Sequence, residues 1–192
     1  EIAQCLVGSE MCIRDSTFCL RNTKEMLESN SLWLKREPTV EMIIAEFEKY
    51  DLTAFKEVVF CGFGEPLTRH DDLMKVAKYI KEKRSDLSIR INTNGLSSIT
   101  LGRDIAPDFK GVIDTVSISL NAPTKEEYYE LTRACYGVDS FNYMLQFTKA
   151  CKKYVPSVVL TVVDIIGVEK IKLCQKIADG LGVELRVRPF EE

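Results

Sequence analysis

From residue 39 onward, apolar residues recur alternately at helical and at strand spacing. Val40, Ile43, Ile44 and Phe47 form one helical stripe behind Thr39, which is placed to cap it. VVFCGFGEP (58–66) is a short apolar run that ends in glycines, and His70 to Arg84 follows with Leu73, Val76, Ala77 and Ile80 on one face. The alternation continues through SIRINTNG (88–95), TVSISLNAP (115–123), a helical stretch from about Ser140 to Tyr154, and SVVLTVVDIIG (157–167). A last helix carries Ile171, Cys174, Ile177 and Leu181 and stops at Gly182, and VELRVRPF (183–190) closes the series. Five strands with helices between them predict an α/β fold built on a parallel sheet or barrel.

Three of these strands are two-faced. Arg90, Asn92 and Asn94 oppose Ile89 and Ile91; Ser117, Ser119 and Asn121 oppose Val116, Ile118 and Leu120; Glu184, Arg186 and Arg188 oppose Val183, Leu185 and Val187. A parallel sheet covered by helices on both sides is apolar on both faces. Polar faces on three strands therefore predict a curved, partly open barrel with a wet interior. Its outer face packs on helices, and its ligands sit where GFGEP, TNG and LNAP lie, at the C-terminal strand ends.

Composition narrows the chemistry. At 192 residues, one compact domain is expected, large enough to bury a core without disulfides. A net charge of -3, from 26 basic and 29 acidic residues, gives no broad cationic field for nucleic acid, and no apolar run approaches membrane-spanning length. Seven scattered cysteines fit a reducing cytoplasm better than a disulfide framework, and a single histidine, His70, leaves little room for His-based zinc sites or triads. Cys61, Cys135, Cys151 and Cys174 occur singly and are expected in the core. His70 is expected to start its helix, exposed or capping.

Each loop has an ordinary reading. GFGEP can be a strand-to-helix turn, TNG is a common turn, and Asn121 can cap the helix after Pro123. Their joint position at three successive strand ends favours a shared site. The first part of the chain adds MCIRDSTFC (11–19), in which Cys12 and Cys19 are seven apart and Ser16 stands where the middle thiol of a CxxxCxxC motif would be.

The order TFCLR, VVFCGFGEPL, INTNG, SISLNAPT, RVRPF resembles the radical S-adenosylmethionine superfamily, and within it the small members associated with TatD-type nucleases. The resemblance covers about residues 16–192 and implies a partial six-stranded (βα)6 barrel, a partial TIM barrel. It also implies a 4Fe-4S cluster held by three thiolates, one iron staying open for the amino and carboxylate groups of S-adenosylmethionine (SAM). By this resemblance Cys12 and Cys19 are the metal ligands present, with Phe18 the aromatic residue before the last cysteine. Gly64 and Glu65 belong to the loop that contacts the methionyl amino group, and Asn94, Ser119 and Asn121 to strand ends that hold ribose or carboxylate. Arg188 is expected to hold an anionic group of SAM or of the substrate. The implied function is an enzyme that reduces SAM to release a 5'-deoxyadenosyl radical, acting on an unknown substrate, with a reductant as partner.

Leu6 to Ser16, LVGSEMCIRDS, resembles the conceptual translation of a sequencing-library adapter. On that reading residues 1–16 are a non-native segment, residues 17–192 the radical SAM core, and Ser16 replaces a cysteine. Cys12 then falls at the first ligand position by accident, and the first barrel strand is missing or imitated by Ile2 to Val7. Two other classes of function stay open: a non-catalytic α/β nucleotide-binding module without a cluster, and a metal-free sugar or phosphate enzyme using GFGEP as an anion site. The last is disfavoured because no Lys or Ser/Thr follows the glycines at phosphate-loop spacing.

Overall fold

The computed structural model describes residues 2–5, 37–62 and 64–190. Six strands form one sheet in the order β1 (Ile2–Cys5), β2 (Glu57–Cys61), β3 (Ser88–Thr93), β4 (Thr115–Ser119), β5 (Ser157–Val163) and β6 (Glu184–Arg188), and every neighbouring pair is parallel. The helices are α1 (Val40–Phe47), α2 (His70–Lys83), α3 (Ser97–Thr100), α4 (Lys125–Thr132), α5 (Ser140–Cys151) and α6 (Val168–Leu181). β1 and β6 are the two edges and do not pair with each other, so the barrel is partial.

The five strands read from the sequence are β2 to β6. The sixth, β1, was expected to be missing or imitated; Ile2–Cys5 fills its place, in register from Ile2↔Val58 to Cys5↔Cys61. The rest of the segment read as non-native, residues 1 and 6–16, lies outside the described residues.

Local chemistry sets the helix ends. The Thr39 hydroxyl accepts the Met42 N–H at 3.3 Å and caps α1, as its position predicts. Asp71 and Asp72 in the first turn of α2, with Lys81 and Lys83 in its last, suit the helix dipole. Thr124 caps α4 by accepting the Glu127 N–H at 3.3 Å, so the capping role considered for Asn121 belongs to Thr124. Gly182, at φ 64°, ends α6 in the left-handed region as expected.

The apolar face of the two-faced strands meets the helices. Ile89, Ile91, Val116, Ile118 and Leu120 are buried with Leu73, Val76, Ala77 and Ile80 of α2 and Met144 and Phe147 of α5. Full burial of each such side chain stabilises the fold by about 1.5–3 kcal/mol, and together they fix the register that turns the polar faces inward. β6 departs from this pattern. Leu185 is half-buried and Val187 remains 44% exposed, because an edge strand is covered on one side only.

Candidate functional site

Glu65 is the residue around which the strand-end loops are built. It is buried, and its Oε1 accepts the Thr93 hydroxyl at 2.7 Å and the Leu67 N–H at 3.1 Å, while its Oε2 accepts the Asn94 N–H at 2.7 Å. One carboxylate thus ties the loop after β2 to the loop after β3. Gly64 precedes it at φ 96°, a conformation that side chains other than glycine rarely adopt.

The TNG loop is held from within as well. Asn94 Oδ1 accepts the Leu96 N–H at 2.8 Å, and the Thr93 hydroxyl accepts the Gly95 N–H at 3.1 Å. Gly95 has φ 77°, and a Cβ there would meet Ile118 Cγ2 and Met144 Cγ at 3.0 Å, so backbone angle and space both require glycine.

Asn121 is buried at φ 61°, one of two non-glycine residues with positive φ among the described residues. Its N–H and that of Leu120 both donate to the Thr161 carbonyl, at 3.2 and 2.8 Å, and the Ala122 N–H turns back to the Leu120 carbonyl at 2.7 Å. This tight turn directs the chain from β4 to α4. Ser119 is half-buried beside Thr161 in the register of β4 and β5.

Below these strand ends lies a cavity of about 260 Å³, lined by Val59, Cys61, Arg90, Asn92, Ser117, Thr161, Arg186 and Arg188. The polar strand faces thus line a common cavity, where a wet interior was inferred from them. Arg90 is held by Glu57, Nη2 to Oε2 at 2.8 Å. Arg186 and Arg188 are exposed on the open edge, and neither has a hydrogen bond or ion pair among the described residues. The side-chain oxygen of Asn92 is buried in this wall with no partner among them.

Glu65, Gly64, Asn94, Ser119 and Asn121 therefore belong to adjoining strand ends, and Arg188 to the cavity beneath. Cys12, Cys19 and Phe18 lie outside the described residues. Among the described residues no group of three His, Cys, Asp or Glu side chains could hold a metal, so a cluster would take its ligands from elsewhere in the chain. Thr161 went unnoticed in the sequence, although it is the one polar residue in the run VVLTVV that forms most of β5.

Three expectations need correction. Cys61, expected in the core, faces the cavity because it alternates with Val59 on the inward side of β2. Cys135, also expected in the core, is exposed in the turn after α4, whereas Cys151 and Cys174 are buried as expected. His70 starts α2 but is only 4% exposed. Its Nδ1 lies 2.8 Å from Asp71 and its Nε2 3.3 Å from Asp108, and hydrogen bonding to the imidazole holds the Asp71 carboxyl below its usual range.

The family model of the radical SAM superfamily matches residues 6–174. The chain belongs to the radical SAM superfamily. No curated protein matches its sequence. Among solved structures it is similar to Streptococcus suis SuiB bound to precursor peptide SuiA, with a TM-score of 0.67 at 16% identity over 99% of this chain and 39% of that one. SuiB bound to S-adenosylmethionine gives 0.62 at 16% identity over 99% and 38%, and methylornithine synthase (PylB) gives 0.66 at 17% identity over 98% and 53%. At these identities the likeness is one of fold. The radical SAM chain described here spans about two fifths to one half of those proteins' length.

Proposed function

We propose that this chain is the core of a radical SAM enzyme, a small one of the TatD-associated type, whose cofactors are a 4Fe-4S cluster and SAM. The observation that carries the reading is the Glu65 carboxylate joining GFGEP to TNG, beside the Asn121 turn, on an all-parallel partial barrel. The donor set fits SAM: neutral amide and hydroxyl groups on Asn94, Ser119 and Asn121 suit ribose hydroxyls, and Arg188 is left for an anionic group of SAM or of the substrate. Bound to the chain, a reduced cluster would supply the electron for reductive cleavage of SAM, the radical chemistry of this family.

The chain's own part is to hold and enclose. Gly64 and Glu65 are assigned to the loop that contacts the methionyl amino group, while the Glu65 bonds to Thr93 and Asn94 keep both loops from separating. Phe18, the aromatic residue before the last cysteine, is assigned to the cofactor site, and Cys12 and Cys19 to ligate the cluster. Ser16 is read as a lost cysteine, which impairs the chain as written, since a hydroxyl is a poor iron ligand near neutral pH. Residues 1–16 are taken as non-native and 17–192 as the catalytic core. A reducing cytoplasm suits these assignments; no helix among the described residues is long and apolar enough to cross a membrane.

Ser16 also supports a second reading, a nucleotide-binding module without a cluster. Reduction of anaerobically reconstituted Ser16→Cys protein in the presence of SAM separates the two. Release of 5'-deoxyadenosine supports the enzyme; SAM binding by protein that takes up no iron and releases no 5'-deoxyadenosine supports the module.

A further inference from the structure

The cavity in the barrel interior lies deeper than the strand-end groups assigned to SAM. Its lining includes Asn92 and Ser117, each two residues before Asn94 and Ser119 on the same strand face, hence about 6–7 Å below them. Its charge is one-sided. Among the described residues three arginines line it and no carboxylate does, and of the three only Arg90 is neutralised by an ion pair, with Glu57. Glu184, on the same strand face as Arg186 and Arg188, pairs with neither among the described residues. By contrast, Arg69, Arg84 and Arg103 are each bonded to a carboxylate within 2.7 Å.

Two guanidinium groups without an ion pair among the described residues, on the wall of a concave site, concentrate positive potential there. The opposite need appears at Asn92, whose buried Oδ1 lacks a donor among the described residues. We propose that this cavity is the substrate's subsite, taking an oxyanion, carboxylate or phosphate, on Arg186 and Arg188 while an N–H or O–H of the same molecule donates to Asn92 Oδ1. The assignment to substrate rests on the radical SAM reading, which gives the strand ends above to the cofactor. The volume, about 260 Å³, limits the enclosed part to a small molecule or the end of a larger one.

The test is titration of the full chain with inorganic phosphate, and separately with malonate, followed by NMR of the arginine side-chain N–H signals. Saturable binding is expected, weakened about tenfold in each of Arg186→Gln and Arg188→Gln and unchanged in Lys176→Gln on the exposed side of α6. Asn92→Asp, which adds a negative charge to the same wall, is expected to abolish it. Melting temperatures within a few degrees of the parent's confirm that the arginine variants are folded. No saturable binding, or an equal loss in Lys176→Gln, overturns the proposal. In reconstituted Ser16→Cys protein, saturating SAM should leave the phosphate affinity unchanged; if SAM abolishes it, the arginines serve the cofactor's carboxylate and the substrate subsite is wrong. Since phosphate binding needs no cluster, failure to incorporate iron would count against the enzyme reading while leaving the anion site standing.

Discussion

The Oε2 of Glu65 accepts the backbone N–H of Asn94 at 2.7 Å across 29 residues of sequence. Because Oε1 accepts two further donors, the side chain is committed to acceptance, and Gln at this position would turn an N–H₂ toward donors. Glu65→Gln is expected to lower stability by about 2–3 kcal/mol, the scale of a lost charge-assisted hydrogen bond plus an unsatisfied buried donor. Urea unfolding measures it, and a change under about 0.5 kcal/mol would show that the two loops hold together without this carboxylate.

Asn121 permits a separation of fold from binding. At φ 61° glycine is at least as comfortable as asparagine, so Asn121→Gly is expected to change stability by less than about 1 kcal/mol. In reconstituted Ser16→Cys protein the same change should weaken SAM binding about tenfold, if the amide holds the cofactor. Calorimetry of both quantities decides it: equal SAM affinity would leave Asn121 as a turn residue alone.

The cysteines divide by burial. Burial pushes the Cys174 thiol from 9.0 up to about 11, with the Glu127 carboxylate adding to the shift, and burial raises Cys151 still further, with a smaller contribution from Asp104. Above pH 9 the unfolded chain loses these thiol protons while the folded chain keeps them. Unfolding then releases protons, so their contribution to stability is complete below pH 9 and declines as pH rises toward 11. Thiol labelling at pH 8 should modify exposed Cys135 first and spare Cys151 and Cys174 until unfolding. Equal labelling rates would contradict the packing of α5 and α6.

The alternation of Arg90 and Asn92 with Ile89 and Ile91 foretold the wet interior because a period of two survives any detail of closure. Thr124 displaced Asn121 as the cap of α4, since a T-x-x-E spacing cannot be weighed against a turn until the chain direction after β4 is known. His70 was misjudged because one helix position says nothing about Asp108, which reaches it from the segment after α3. The Glu65 bridge was hidden for the same reason, its partners lying two to 29 residues away. Cys135 looked apolar by residue type, yet it lies exposed in the turn after Arg133, whose left-handed φ of 48° ends α4.

Under the proposed radical SAM reading, Ser16 stands in place of a thiolate in a cluster motif with Cys12 and Cys19. Iron and sulfide content with visible absorption, measured on parent and Ser16→Cys proteins after the same anaerobic reconstitution, tests it most directly. One 4Fe-4S cluster per chain is expected in Ser16→Cys and little bound iron in the parent. Equal and full occupancy in both, or none in either, would contradict it.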